Sequence, residues 1–216
     1  MNQTDTRDQV FPINDAATGT LTFTRGASNV ALRTTQEREH LCRLVFTGKV
    51  PDVSADGKGG VQITYPRVFN PLDWGRHGID ATLTEALPWQ LDVRGGLAHL
   101  RADLVPIRVD GIAVHGGASD VRLALPAPRG IVPIRIDGGA SAVELVRPAG
   151  VTIRIRFAGG ASNLRLDDQQ IGAMGGPIAL HAGADANAPD RYELTIAGGA
   201  SDLTIRAQGG ETDRSL

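Results

Sequence analysis

Residues 134–148, IRIDGGASAVELVRP, set two glycines, an alanine and a serine between two runs that alternate apolar and polar side chains. The tetrapeptide recurs in HGGASDVRLAL (115–125), AGGASNLRLDD (158–168) and AGGASDLTIRA (197–207). Looser copies are RGASNVALR (25–33) and RGGLAHLRADL (94–104). Aligned on the second glycine, the copies fall at Gly26, Gly96, Gly117, Gly139, Gly160 and Gly199, and the middle spacings are 21, 22 and 21 residues. A period of about 20 residues marks a stacked-repeat architecture.

The columns of this alignment give the local structure. Five residues before the glycine stand Leu21, Leu91, Ile112, Ile134, Ile155 and Leu194, and three before it Phe23, Val93, Val114, Ile136, Phe157 and Ile196. The intervening column is mostly polar, which is the period of two expected of a strand with one buried face. Four and six residues after the glycine the apolar phase resumes, from Val30 and Leu32 to Leu203 and Ile205. Each repeat therefore reads as strand, GGAS corner, strand and short return, and no segment has the pattern of an amphipathic helix.

Glycine at such a corner supplies positive φ or a tight bend without a Cβ clash. The small residues that follow suit rungs stacked about 4.8 Å apart. The serine column, Ser28, Ser119, Ser141, Ser162 and Ser201, has hydroxyls able to satisfy corner backbone groups. A phosphate-cradling glycine loop would precede a helix, and none follows here. The expected fold is all-β: a single-domain β-solenoid of about 21-residue rungs with GGAS corners over residues 18–207, because one rung cannot bury its apolar face alone. A β-sandwich is the alternative, with GGAS connecting strands of two packed sheets. Residues 1–17 and 208–216 read as polar tails.

With the repeats aligned, the chain resembles the toast-rack proteins, which include the soluble β-domains of bacterial envelope-stress proteins of the LiaF type. The resemblance rests on TGTLTFTRGASNVAL, GKVPDVSADGKGGVQITYP and LPWQLDVRGGLAHLRADL together with the glycine-paired repeats. It implies a sensing or adaptor module in bacterial stress signalling. The chain is also similar, less closely, to bactofilins, whose β-helices polymerise end to end.

Composition narrows the function. The 216 residues carry a net charge of −2, which gives no general affinity for nucleic acid or anionic membrane. No apolar run approaches the roughly 18 residues that cross a bilayer, and the N-terminus lacks the apolar core of a secretory signal, so the expected location is cytoplasmic. The single cysteine, Cys42, lies in the alternating run LCRLVF and reads as a buried thiol. No cofactor, metal or catalytic set is expected.

Where the repeat fails, function is expected. The interval between Gly26 and Gly96 holds predicted strands at 41–47, 60–65 and 79–83, enough for one or two irregular rungs. It also holds YPRVFNPLDWGRHG (65–78), whose Arg67, Phe69, Trp74, Arg76 and His77 form the candidate partner-binding loop, since aromatics beside arginine compose interaction hot spots. For the two aromatics the favoured expectation is that Phe69 and Trp74 fold back to plug an end or side of the core, since a chain with so few aromatics rarely leaves them all in water. The second departure, 167–192, reads as a short rung around PIALHAG followed by a polar loop. Its Asp167, Asp168, Asp185 and Asp190 match no calcium-binding spacing and read as solvated carboxylates. Arg94, His115 and Asp137 fall in one column of successive rungs and predict a polar ladder. Arg135, Arg154 and Arg156 share outward columns and, with Asp92 and Glu193, predict a mixed charged surface. The leading expectation is a non-enzymatic binding or adaptor module with an unidentified protein partner. The alternative is a self-assembling scaffold, through unpaired strand edges at the solenoid ends.

Overall fold

The computed structural model describes residues 6–65 and 77–209. Among them are nineteen strands, numbered in chain order: β1 (Thr6–Pro12), β2 (Gly19–Phe23), β3 (Ala27–Thr35), β4 (His40–Thr47), β5 (Asp52–Ala55), β6 (Gly60–Thr64), β7 (Gly78–Thr84), β8 (Pro88–Val93), β9 (Leu97–Asp103), β10 (Arg108–Val114), β11 (Ala118–Ala124), β12 (Ile131–Ile136), β13 (Ala140–Arg147), β14 (Thr152–Phe157), β15 (Ala161–Leu166), β16 (Gln169–Met174), β17 (Ile178–Ala182), β18 (Arg191–Ile196) and β19 (Ala200–Ala207). They form two mixed sheets. The first runs β1-β4-β7-β3-β9-β11-β13-β19-β15-β16 and the second β17-β14-β18-β12-β10-β8-β2-β6-β5. The structure is all-β, as the alternation implied.

Each repeat gives its strand before the corner to the second sheet and its strand after the corner to the first. Strands of different repeats pair in parallel with alignment columns in register. Leu21 pairs with Leu91, Leu91 with Ile112 and Ile112 with Ile134 in the second sheet; Val30 pairs with Leu100, Leu100 with Val121 and Val121 with Val143 in the first. All four apolar columns of all six repeats are buried, in one continuous core shared by the two sheets. Low aromatic content leaves that core to Val, Ile, Leu and Ala, with a few large side chains at defined places. Trp89 is fully buried, donates its indole N–H to the Thr84 carbonyl at 2.9 Å, and lies against Gly19, where an added Cβ would stand 2.6 Å from the ring. Tyr192 is likewise buried and donates its hydroxyl to the Pro126 carbonyl at 2.8 Å.

Stacking order departs from sequence order. The sixth repeat, β18 and β19, enters between the fourth and the fifth: β18 pairs with β12 on one side and β14 on the other, and β19 with β13 and β15. Arg135 and Arg156 are therefore separated by Thr195 rather than adjacent. Arg147 Nη2 reaches Asp167 Oδ2 at 2.5 Å, joining the strands on either side of β19, while the Ala207 N–H donates to Asp167 Oδ1 at 3.1 Å. This pair closes over the inserted strand.

The insertion 167–192 supplies two edge strands rather than a parallel rung. β16 turns back antiparallel on β15, and β17 lies antiparallel on β14. In the 34–90 interval all three predicted strands are present. β6 and β7 extend the two sheets in parallel with β2 and β3, and the candidate loop between them falls outside the described residues. β4, β1 and β5 then add antiparallel strands. The N-terminal segment read as a tail thus contains a strand. Its polar alternation, TRDQVFP, suits an edge with one wet face, and Phe11 packs against the core.

Candidate functional site

Six corners stacked in register build a continuous strip along one side of the molecule. The corner backbone hydrogen-bonds from rung to rung: the Ala118 N–H donates to the Gly139 carbonyl at 2.9 Å, Ala140 to Gly199 at 3.0 Å and Ala200 to Gly160 at 3.0 Å. Gly138 donates to Gly116 at 2.9 Å and Gly198 to Gly138 at 3.0 Å. The rungs satisfy one another's backbone, so the serine hydroxyls are not spent on it, and Ser119, Ser141 and Ser162 face solvent.

The structure also corrects the role of the glycines. Of the six aligned glycines only Gly26 has positive φ; the left-handed residue lies three positions later, at Asn29, His99, Asp120, Ala142, Asn163 and Asp202, with φ between 50° and 54°. Asn, Asp and His tolerate that conformation better than other L-residues, and this column was the sequence signal for it. Close approach instead requires the first glycine of each pair, the one that precedes the aligned position. A Cβ on Gly138 would lie 2.6 Å from the Gly117 nitrogen, and one on Gly116 2.6 Å from the Gly95 carbonyl carbon.

Along this strip lies an open trough of about 720 Å³, floored by Gly96, Gly117, Gly139 and their neighbours, with Ser28, Ser119 and Ser141 on its wall. A second hollow of about 550 Å³ continues past Ser141 to Ser162, Ser201 and Met174. Arg25, Tyr65 and His77 close one end of the larger trough. Tyr65 and His77 flank the candidate loop in the sequence. Of that loop, Arg67, Phe69, Trp74 and Arg76 lie outside the described residues. His77 is anchored: its Nδ1 accepts from the Lys49 N–H at 2.8 Å, and its carbonyl accepts from Asn29 Nδ2 at 3.0 Å. Arg25 Nη1 donates to the Tyr65 carbonyl at 3.0 Å, and burial pushes the Tyr65 hydroxyl up to about 12.

The predicted polar ladder is present on the outer face of the second sheet. His115 spans two rungs, with Nε2 3.1 Å from Asp92 Oδ1 and Nδ1 3.0 Å from Asp137 Oδ2. Arg94 pairs with Asp92 at 3.0 Å, and Arg135 pairs with Asp137. The Arg135 guanidinium, followed by His115, holds the Asp137 carboxyl below the usual carboxylate range. Hydrogen-bonding side chains from neighbouring strands alternate along this exposed network, so it ties the strands together on the surface. A second cluster, missed in the sequence, lies on the first sheet. Asp120 accepts from Arg101 Nη2 at 2.6 Å and sits 2.7 Å from His99 Nδ1, and these partners lower its carboxyl, His99 foremost. Arg154 approaches Glu193 at 3.8 Å, as a mixed charged surface requires.

The acidic residues of the insertion are dispersed. Asp167 binds Arg147, Asp190 accepts from the Gly130 N–H, and Asp185 accepts from the Asn187 N–H at 2.8 Å. Among the described residues no group of three or more His, Cys, Asp or Glu is placed to hold a metal ion. Cys42 is buried, and burial pushes its thiol up to about 12. What the strip offers a ligand is shape, hydroxyls and one flanking arginine. Among the described residues no helix is long and apolar enough to cross a membrane.

No family model matches the sequence, and no curated protein matches it. Among solved structures, the chain is similar to a candidate cell adhesion protein from Clostridium sporogenes ATCC 15579, with a TM-score of 0.72 and 18% identity over 95% of this chain and 100% of the other. It also matches a candidate adhesin from Bacteroides fragilis NCTC 9343 with a TM-score of 0.37 and 10% identity, over 95% of this chain and 98% of that one. At 18% identity the first likeness is one of fold.

Proposed function

We propose that this chain is a non-enzymatic binding module of the adhesin-like kind, a β-solenoid whose corner strip and flanking loop engage a protein at a cell surface or envelope. The observation that carries the reading is the coincidence of two features. The trough along the GGAS corners ends at Tyr65 and His77, the two residues that flank the loop bearing Phe69 and Trp74. An uncharged floor, together with a neighbouring stretch of sequence that carries aromatics and arginine, has the composition of an interface core and its anchor. The fold shared with a candidate cell adhesion protein supports the same class. A role as an adaptor in bacterial stress signalling belongs to the toast-rack resemblance. The cytoplasmic location expected from the sequence is a separate reading, and fractionation of cells expressing the full chain separates that location from the envelope.

The test is retention of the labelled full chain on purified bacterial envelope proteins, compared with Phe69→Ala/Trp74→Ala and with Ser119→Arg/Ser141→Arg, which fills the trough. Loss of retention in both variants with melting temperatures unchanged is the expected result. Equal retention by all three proteins, or unfolding of the Phe69→Ala/Trp74→Ala variant with no separable binding loss, would overturn the reading.

A further inference from the structure

The two ends of the stack are built differently. Beyond the rung of β14 and β15, each sheet carries one more strand, β17 on one side and β16 on the other. Both sheets therefore end level. Beyond β6 and β7, among the described residues, the first sheet adds β4 and β1 whereas the second adds β5, so that end is stepped by one strand. Charge follows the same division. β1 carries Arg7 and Asp8, ends at Pro12 and shifts register there, and β5 opens on Asp52. These are the usual devices that prevent edge-to-edge pairing. β16 (QQIGAM) and β17 (IALHA) hold no Asp, Glu, Lys, Arg or Pro. Gly172 faces open space, and Ile171, Met174 and Leu180 pack against the core while remaining half-exposed.

We infer that the β16/β17 end is the interface of a closed homodimer, in which each sheet continues into the same sheet of a second copy. The argument for that occupant is geometric. A twofold axis perpendicular to both sheets reverses the stack direction and the strand direction together. It therefore sets β16 antiparallel to the β16 of the second copy and β17 antiparallel to its β17, and it keeps inward residues facing inward. A single added strand from another protein can satisfy one edge only. A second copy matches both because its edges have the same separation by construction, and the absence of Asp, Glu, Lys and Arg from both strands limits like-charge repulsion in self-pairing. The half-exposed Ile171, Met174 and Leu180 then meet their counterparts and the core runs through. The stepped, charged end at β1 and β5 stops further growth, so the product is a pair rather than a filament.

The experiment is light scattering coupled to size exclusion on the full chain over a hundredfold concentration range. The expected mass is twice the 22.7 kDa of one chain. Ala173 and Ala179 are exposed on β16 and β17. The double variants Ala173→Glu/Ala179→Glu and Ala173→Lys/Ala179→Lys should each halve the mass while circular dichroism and melting temperature remain those of the parent. Mixing the two at equal ratio should restore the doubled mass, a result that misfolding cannot give. A parent that stays monomeric throughout, a dimer indifferent to both variants, or mass that grows into filaments would overturn the inference.

Discussion

Replacing Ala142 with asparagine should stabilise the protein. Ala142 sits at φ 51°, in the column where the other repeats place Asn29, His99, Asp120, Asn163 and Asp202. An ordinary L-residue held in the left-handed region costs about 1–2 kcal/mol, and asparagine recovers part of that cost because its short amide hydrogen-bonds locally. The position is exposed, so the larger side chain displaces nothing. Its neighbours in the stack are Asp120 on β11 and Asp202 on β19. Asn163 already donates its amide to Asp202 from the opposite side, which shows that the arrangement is accessible. The expected gain is about 1 kcal/mol, equivalent to a rise of roughly 2–4 °C in the melting temperature of a domain this size. Urea unfolding at neutral pH measures it. Ala142→Val, which puts a β-branched side chain at the same φ, should lose at least about 1 kcal/mol. Ser141→Asn, one residue away, should change stability by less than about 0.5 kcal/mol. An Ala142→Asn protein no more stable than the parent, or a valine variant without loss, would refute the backbone argument.

Three further outcomes follow from the same geometry. Gly138→Ala places a Cβ 2.6 Å from backbone atoms of the next rung and should cost about 3 kcal/mol by thermal unfolding, whereas Gly172→Ala, with nothing near it, should cost less than about 0.5 kcal/mol. Asp167→Asn leaves the buried Arg147 facing a neutral partner; because Asp167 is one-third exposed, the loss should be about 2 kcal/mol, below the 3–5 kcal/mol typical of a fully buried pair, and Arg147→Met/Asp167→Asn should recover part of it. Asp120 and Asp137 have carboxyls held below their unfolded value, so their contribution is complete above about pH 4 and is lost as pH falls through the lowered folded value. The melting-temperature difference between parent and Asp120→Asn should accordingly be present at pH 7 and vanish in strong acid.

The repeat columns made much of the fold legible. Alternation at two residues fixes which side chains face inward, and side chains four columns deep in six repeats leave little freedom in the register. The same regularity hid the left-handed residue: its column varies among Asn, Asp, His and Ala, and what it shares is a backbone preference rather than a residue type. The candidate loop was recognisable by composition, whereas the parallel pairing of its flanking strands, β6 with β2 and β7 with β3, was not.

By itself the sequence determined the strands, their inward faces and the small residues that stacked corners demand, because those depend on neighbours two residues away or on a repeat's own copies. Only the tertiary structure decided the order of the stack. Ile136, Phe157 and Ile196 occupy one column and are interchangeable as neighbours, so nothing local says that the last repeat lies between the fourth and the fifth. The reason is at the edge: β16 and β17 fold back onto β15 and β14 and occupy the outer positions, and the final rung is held on the inner side, where Arg147 and Asp167 close over it.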